Sequence, residues 1–544
     1  MSSNQNYIIL IVPKALSHRT AEENLGVEYL SATLQKAGND VVVLDAWLME
    51  LDNLEIMRRM REMLEKKGHP TIVGISTYVS NIREVETLIR IIRSVFSTKI
   101  VAGGFGPSFF VDKFLEIGVD IVSIGEGERT LGDLVDALHK KTDIRNVKGI
   151  AYRQDGQTVY TEKQQLIDDL DTIPFPSRDN LEYVTRRKSA VNVLTARGCN
   201  GHCSFCSVIA FQKLCIGKKW RSRSVNNIVD ELEFLYRKGV RLVKIIDDSF
   251  LEEGRDEEWC RNFRDEIVKR GIKLKLRGSV VAENVTKEKV LLLKESGFYS
   301  FACGIENFSQ SVLNRYGKRA TVIDNIRALR AFKECGIIIQ CGIILFDPYT
   351  TLSELKDNYR YLTFFPEVVM KGIFSELYAA EGSNFTNKIL LDPNTGEHVL
   401  HNENYTYDII DEKVRTVYTL LKEWQQSHST MYDMLVDPLN APKNISLQNL
   451  ERLMLIYQQV HKYDLDVLGL ILEQIEYADS SNIKKQLAKK AINLQNTFVV
   501  IEKTIKKIYE EEDLVFDGHK NNVGLSNILD SDLGGRHPAE RPHG

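Results

Sequence analysis

VNVLTARGCNGHCSFC, residues 191–206, is the stretch on which the fold turns. VNVLT (191–195) reads as a buried strand that runs straight into a loop carrying Cys199, Cys203 and Cys206. Three thiolates at CxxxCxxC spacing can wrap one corner of a cubane and leave its fourth iron without a protein ligand. Soft thiolates suit an iron–sulfur cluster. Zinc is the alternative, with Cys215 as a fourth ligand, but structural zinc sites usually join two short-spaced pairs and no second pair is present. The remaining cysteines (Cys260, Cys303, Cys335, Cys341) are scattered and expected to be buried and inert.

Downstream, strands are expected at 242–247, 274–278, 300–305, 337–345 and 372–377, with helices between them such as 226–239. With VNVLT these make six β/α repeats, a partial (β/α)6 barrel over 191–379, with function at the carboxyl ends of its strands. After residue 380 strand signals fade. Residues 412–427, 445–475 and 483–508 carry apolar residues at helical spacing, so 380–510 reads as a helical domain capping the barrel mouth. Residues 511–544, rich in Gly, Asn, Asp and His, read as a disordered tail.

Upstream, YIILIVP (7–13), DVVVLDA (40–46), TIVGIST (71–77), KIVAGG (99–104) and DIVSIG (120–125) alternate with helices at 25–38, 54–68, 82–96 and 130–140. Continuous apolar strands separated by helices imply a doubly wound, Rossmann-like parallel sheet, with its ligand beyond the strands' carboxyl ends. Domain 1–145 is followed by a connector, 146–190, whose DDLDTIPFPSRDN carries two prolines. The strand-end loops are Pro13–His18, Thr77–Asn81, Gly103–Ser108 and Gly125–Thr130, where glycines admit close backbone approach to a ligand. Neither Gly cluster is a clean GxGxxG and neither follows the first strand, so a dinucleotide site is not expected.

The composition of the 544 residues fits several globular domains: 43% are hydrophobic and 27% charged, which excludes a mainly disordered chain. Basic and acidic residues nearly balance, 71 against 75, so no nucleic-acid partner is expected. The N-terminal apolar run is too short for a signal peptide, and no stretch reaches ~20 apolar residues, so neither export nor membrane association is expected. Eight cysteines in such a chain point to a reducing cytoplasm.

The cysteine loop, the strand before it, the β/α repeats after it and Phe205 just before the last cysteine together resemble the radical S-adenosylmethionine (SAM) enzymes over roughly residues 190–378. The resemblance implies a [4Fe–4S] cluster on Cys199, Cys203 and Cys206, whose open iron takes SAM's amino and carboxylate groups. It also implies SAM contacts from Phe205, from Asp247 or Asp248 toward the amino group, from Glu306 of Gly304-Ile305-Glu306 toward the ribose, and from Arg277 toward the carboxylate. Adjacent strand residues point oppositely, so only one aspartate can face SAM.

The N-terminal domain resembles the cobalamin-binding domain of one branch of that family, through LGVEYLSATLQKAGNDVVVLDA, VAGGFGPSF, DIVSIGEGERTL and LDTIPFPSRDN. Thr77, Gly103, Gly104, Gly106, Ser108, Gly125, Glu126 and Gly127 are the implied corrinoid contacts. The Asp-x-His-x-x-Gly fingerprint is absent, which implies base-off cobalamin without a histidine ligand; His18 is a loop histidine that could touch the corrin. The resemblance implies C-methylation of an unactivated carbon of a small, natural-product-type substrate, or else a radical rearrangement, cyclisation or ring contraction with cobalamin as redox partner. A non-catalytic corrinoid-binding module is the remaining class. An external electron donor such as flavodoxin or ferredoxin is implied. Tyr378, Tyr405, Tyr407, Trp424 and Tyr457 are candidate substrate-pocket residues.

Overall fold

The computed structural model describes residues 7–14, 23–78, 81–370, 372–401, 404–514 and 516. His18 and nearly all of the segment read as a tail lie outside them.

The first domain is built on β1 (Tyr7–Val12), β2 (Asp40–Asp45), β3 (Ile72–Ser76), β4 (Lys99–Gly103) and β5 (Ile121–Ser123), in the parallel order β2-β1-β3-β4-β5. Both faces of β1 are buried, which is why it reads as an unbroken apolar run. Helices 25–36 and 127–140 cover one face, and helices 53–67 and 82–95 the other. The connector expectation needs correction at its start. β6 (Ile150–Gln154) and β7 (Gln157–Tyr160) form a hairpin that extends the same sheet antiparallel from β5. Its short alternating strands look like linker in sequence because one face is solvated.

The second sheet is parallel and runs in the order β8 (Val191–Val193), β9 (Leu242–Ile245), β10 (Lys275–Val281), β11 (Phe298–Glu306) and β12 (Ile338–Ile343). Five strands are described where six were expected. Residues 372–377 make only an isolated bridge, Phe346 to Glu376, so the barrel closes raggedly on that side. Outward residues such as Val243, Ile245, Phe301 and Cys303 pack under the helices, leaving Lys244, Ser300 and Gln340 on the inner face.

The segment joining helices 429–440 and 447–474 packs below the barrel, at the amino ends of its strands, whereas helix 412–426 lies against its flank, with Tyr418 on Phe346 and Phe374. Lys244 Nζ donates to Asn440 O at 2.8 Å, Lys275 Nζ to Ile445 O at 3.0 Å, and Ala190 N–H to Pro442 O at 2.8 Å. The expectation that this whole domain caps the mouth is therefore overturned; among the described residues it is the segment around Phe385 and Ile389 that lies beside the cysteine loop, where Phe385 N–H bonds Ser204 O at 2.8 Å. Trp424 and Tyr457 are bundle core, bonded to Asp464 and to the Met370 N–H.

One buried side chain ties the domains together. Arg178, in the proline-rich connector, donates to Glu23 (2.8 Å), Glu231 (2.6 Å) and Asn192 O (2.7 Å). Beside it Glu28, on helix 25–36, is buried with neither carboxylate oxygen bonded, and burial pushes its pKa up to about 8. No described helix is long and apolar enough to cross a membrane.

Candidate functional site

The loop after β8 is shaped by two neighbouring aspartates with different tasks. Asp247 is buried: the Thr195 N–H donates to its Oδ1 at 2.6 Å, the Thr195 hydroxyl to its Oδ2, and Arg255 Nη1 reaches it at 3.4 Å. Asp248 turns the other way, accepts the Gly198 N–H at 3.1 Å and opens onto a cavity between the domains. Enclosure raises its pKa to about 6. Gly198 has φ +83°, and a Cβ there would sit 1.9 Å from Lys219 O, so the turn into the cysteines requires glycine.

Cys199, Cys203 and Cys206 are free and half-buried. Burial raises Cys199 to about 12 and Cys203 to about 11, and raises Cys206 against backbone N–H groups of Ile209 and Val208. Cys199 Sγ lies 3.3 Å from Glu252 Oε1 and accepts the Gly201 N–H at 3.2 Å. Thiols so hard to ionise alone become favourable ligands when a metal displaces their protons. Among the described residues no three His, Cys, Asp or Glu side chains converge on a single-ion site, and a cubane, which puts each thiolate on a separate iron, does not need that. Cys215 is elsewhere: a Cβ on Gly125 would lie 2.3 Å from its Sγ, in the cavity of the first domain. The zinc alternative through Cys215 has no geometry here.

Across the mouth, Glu306 ends β11 at φ +62°, a left-handed conformation disfavoured for a residue with a side chain and characteristic of functional sites. It sits at a register break, and its carboxyl folds back over Gly304 and Gly342, where added Cβ atoms would lie 2.5 and 3.5 Å from its oxygens. Burial raises its pKa against the pull of Lys318, whose Nζ is 3.4 Å away. Burial also opposes the charge on Lys318, but Glu306 and Cys203 outweigh it and hold Lys318 above the ordinary lysine range. Phe205 packs edge-to-face on Tyr316 at 5.1 Å and backs the loop.

Arg277 is misplaced in the sequence reading. β10 continues to Val281, so Arg277 lies near the strand's start, away from the mouth. Its guanidinium bonds Ser300 Oγ at 2.6 Å and Gln340 Oε1, and burial lowers its pKa to about 10. It has no line to the cysteine loop.

A cavity of about 410 Å³ enters the first domain between β1, β3, β4 and β5 and helices 25–36 and 127–140. Leu10, Val101, Leu30 and Leu131 make its walls apolar, and the Ser123 hydroxyl is buried there without a partner. Gly103, Gly104, Gly125, Glu126 and Gly127 line it; Thr77, Gly106 and Ser108 do not. The Thr77 carbonyl accepts the Gly106 N–H at 3.3 Å, and Gly104 (φ +99°) passes 3.1 Å below it at its would-be Cβ. Ser108 Oγ donates to Gly104 O at 2.7 Å and accepts the Gly125 N–H at 3.1 Å, so it shapes the loop rather than facing the cavity. Glu126 is held by Arg221 and, at 3.2 Å, by Arg197; Glu128 is also bound by Arg197. These acids clamp the first domain to the barrel. A deep apolar slot with one orphan hydroxyl and a glycine rim fits the base and tail of a corrinoid. Glu252, Lys318, Ser123, Arg197 and Arg221 escaped the sequence reading; Ser123 and Arg197 adjoin a Gly-rich or cysteine loop, and the others carry no local signal.

Residues 193–362 match the Radical SAM superfamily and residues 16–135 the B12 binding domain. The fold, the cysteine loop and the first of these matches define a radical SAM enzyme, with a [4Fe–4S] cluster and SAM as its cofactors. With the corrinoid slot, the chain belongs to the cobalamin-dependent radical SAM enzymes. It is 28% identical over 368 residues to an uncharacterized methyltransferase, PH0819, of Pyrococcus horikoshii, covering 65% of this chain and 77% of that protein. It is 27% identical over 344 residues to 4′-phospho-dehydrooxetanocin synthase of Priestia megaterium, covering 58% of this chain and 46% of the synthase. Its fold matches the cobalamin-dependent enzyme OxsB, solved with aqua-cobalamin and SAM bound, at TM-score 0.76 and 19% identity, covering 97% of this chain and 83% of OxsB.

Proposed function

We propose that the chain is a C-methyltransferase acting on an unactivated carbon of a small, natural-product-type molecule. When bound, the cluster with SAM supplies a 5′-deoxyadenosyl radical for hydrogen abstraction, and the cobalamin supplies a methyl group. One observation carries the reading: the corrinoid slot opens at Gly198 and Asp248, directly beside the cysteine loop, so one substrate carbon can reach both chemistries.

In this reading Cys199, Cys203 and Cys206 hold the cluster, and Asp248, not Asp247, accepts the SAM amino group. Glu306 accepts from the ribose hydroxyls, held in place by Lys318, and Phe205 stiffens the loop from behind. Gly103, Gly104, Gly125 and Gly127 let the backbone approach a base-off cobalamin. Arg197 and Arg221, through Glu126 and Glu128, keep the two halves in register. A one-electron donor such as flavodoxin or ferredoxin, in a reducing cytoplasm, completes the system.

The methyltransferase name of PH0819 supports methylation. The relative from Priestia megaterium is named a synthase, which favours rearrangement or cyclisation as the second reading. Turnover with methyl-deuterated SAM separates them. Methylation yields a deuteromethylated product with S-adenosylhomocysteine and 5′-deoxyadenosine formed together; rearrangement yields 5′-deoxyadenosine and no labelled product.

A further inference from the structure

A second cavity, of about 270 Å³, lies where three parts of the chain meet. Tyr78, Phe105 and Phe109 come from the corrinoid domain, Ser207 directly follows the last cluster cysteine, and Tyr378 and Glu381 come from the segment beside the mouth. Phe105 lines both this cavity and the corrinoid slot, and Ser207 adjoins the cluster ligands, so the cavity borders both halves of the site.

Their chemistry is selective. Phe105 stacks on Phe211 at 5.1 Å and tilts against Phe109 at 5.0 Å, which fixes its ring. Tyr78 and Tyr378 are 55% and 45% exposed, a large solvated aromatic area for two residues in one cleft. Glu381 supplies the carboxylate; Tyr405 donates to it, and among the described residues it has no basic partner. No lysine or arginine lines the cavity among those residues. A phosphate or carboxylate entering here would meet the like charge of Glu381 and, among the described residues, no counter-ion. A protonated amine would meet a carboxylate and the negative faces of aromatic rings.

We propose that the substrate is an amine carried on a flat apolar or aromatic skeleton, with Glu381 as the residue that selects its charge. This rests on the methyltransferase reading for its place in the reaction, but its test does not need turnover. Binding of 2-phenylethylamine, 2-phenylethanol and 3-phenylpropanoate is measured by ligand-observed NMR on the full chain reconstituted with cluster, cobalamin and SAM. The amine should bind about tenfold tighter than the alcohol, the magnitude of one charge-assisted hydrogen bond, and the carboxylate weakest. Glu381→Gln should bring amine and alcohol level while cobalamin and SAM binding stay at parent values, and Tyr405→Phe should keep the order. An amine that fails to bind, a carboxylate that binds as well, or a Glu381→Gln protein that still prefers the amine would overturn the proposal. Selective amine binding by a protein whose turnover of its amine substrate forms 5′-deoxyadenosine and a product without label from methyl-deuterated SAM would leave the amine assignment standing and remove the methyltransferase reading instead.

Discussion

The two ends of the barrel treat their ionisable groups in opposite ways. At the lower end Lys244, Lys275 and Arg277 each donate to a fixed oxygen of a helix, loop or neighbouring strand. At the mouth, three thiols and Asp248 are pushed toward neutrality, and Glu306 holds a strained backbone over two glycines. Folding alone would favour the first arrangement throughout. The second persists where groups are left for something the chain does not itself supply, as strand ends of this architecture usually are.

The sharpest break in that contrast should come from the cysteines. Cys199→Ala, Cys203→Ala or Cys206→Ala should abolish the iron–sulfur absorbance and SAM cleavage, whereas Cys215→Ala keeps both; iron analysis and 5′-deoxyadenosine yield decide. Tight zinc, one per chain, lost in Cys215→Ala would reverse the assignment.

Next come the paired aspartates. Asp247→Asn removes one partner of a buried ion pair and should cost about 3–5 kcal/mol of stability. Asp248→Asn should leave the melting curve nearly unchanged and cripple SAM cleavage. Because the Asp248 carboxyl titrates near 6, SAM affinity of the parent should fall as pH drops through about 6, and the Asn variant should lose that dependence. Equal melting temperatures for the two variants would contradict the geometry.

Glu306→Ala should weaken SAM binding by roughly 10- to 150-fold with the cluster intact. Arg277→Met should lower stability by about 1–3 kcal/mol, through the stranded Ser300 and Gln340, and leave SAM affinity within about twofold. Calorimetry on both separates mouth from floor.

The smallest effect belongs to Glu28. Its folded pKa, about 8, lies above the unfolded value, so the stabilisation is complete at low pH and is lost as pH rises through about 8. Glu28→Gln should flatten that slope and raise the parent's Tm by ~2–4 °C above pH 8. A steeper alkaline loss in the variant would mean that Glu28 is charged and paired.

The runs YIILIV and VNV and the CxxxCxxC loop were readable because each is local: buried strands show as continuous apolar residues, and cluster ligands as spacing. Arg277 was misread because Gly278 looked like a strand end, although Ser279–Val281 continue the ladder against β11. Glu126 looked like a ligand because it sits between glycines; its partners Arg197 and Arg221 lie 71 and 95 residues away, beyond any local signal. Helical periodicity in 412–508 shows which faces are apolar, not which end of the barrel they close. Asp247 and Asp248 could not be separated because both faces of a barrel strand are buried.

The cysteine loop and the corrinoid slot open on one shared cleft. Electron paramagnetic resonance of the reconstituted protein, with cobalt as Co(II) and the cluster reduced, tests it most directly. The cobalt signal should relax faster or split by dipolar coupling to the reduced cluster, and revert to an isolated Co(II) spectrum in Cys199→Ala with cobalamin still bound. A cobalt spectrum identical with and without the reduced cluster would show that the two cofactors do not meet at this mouth.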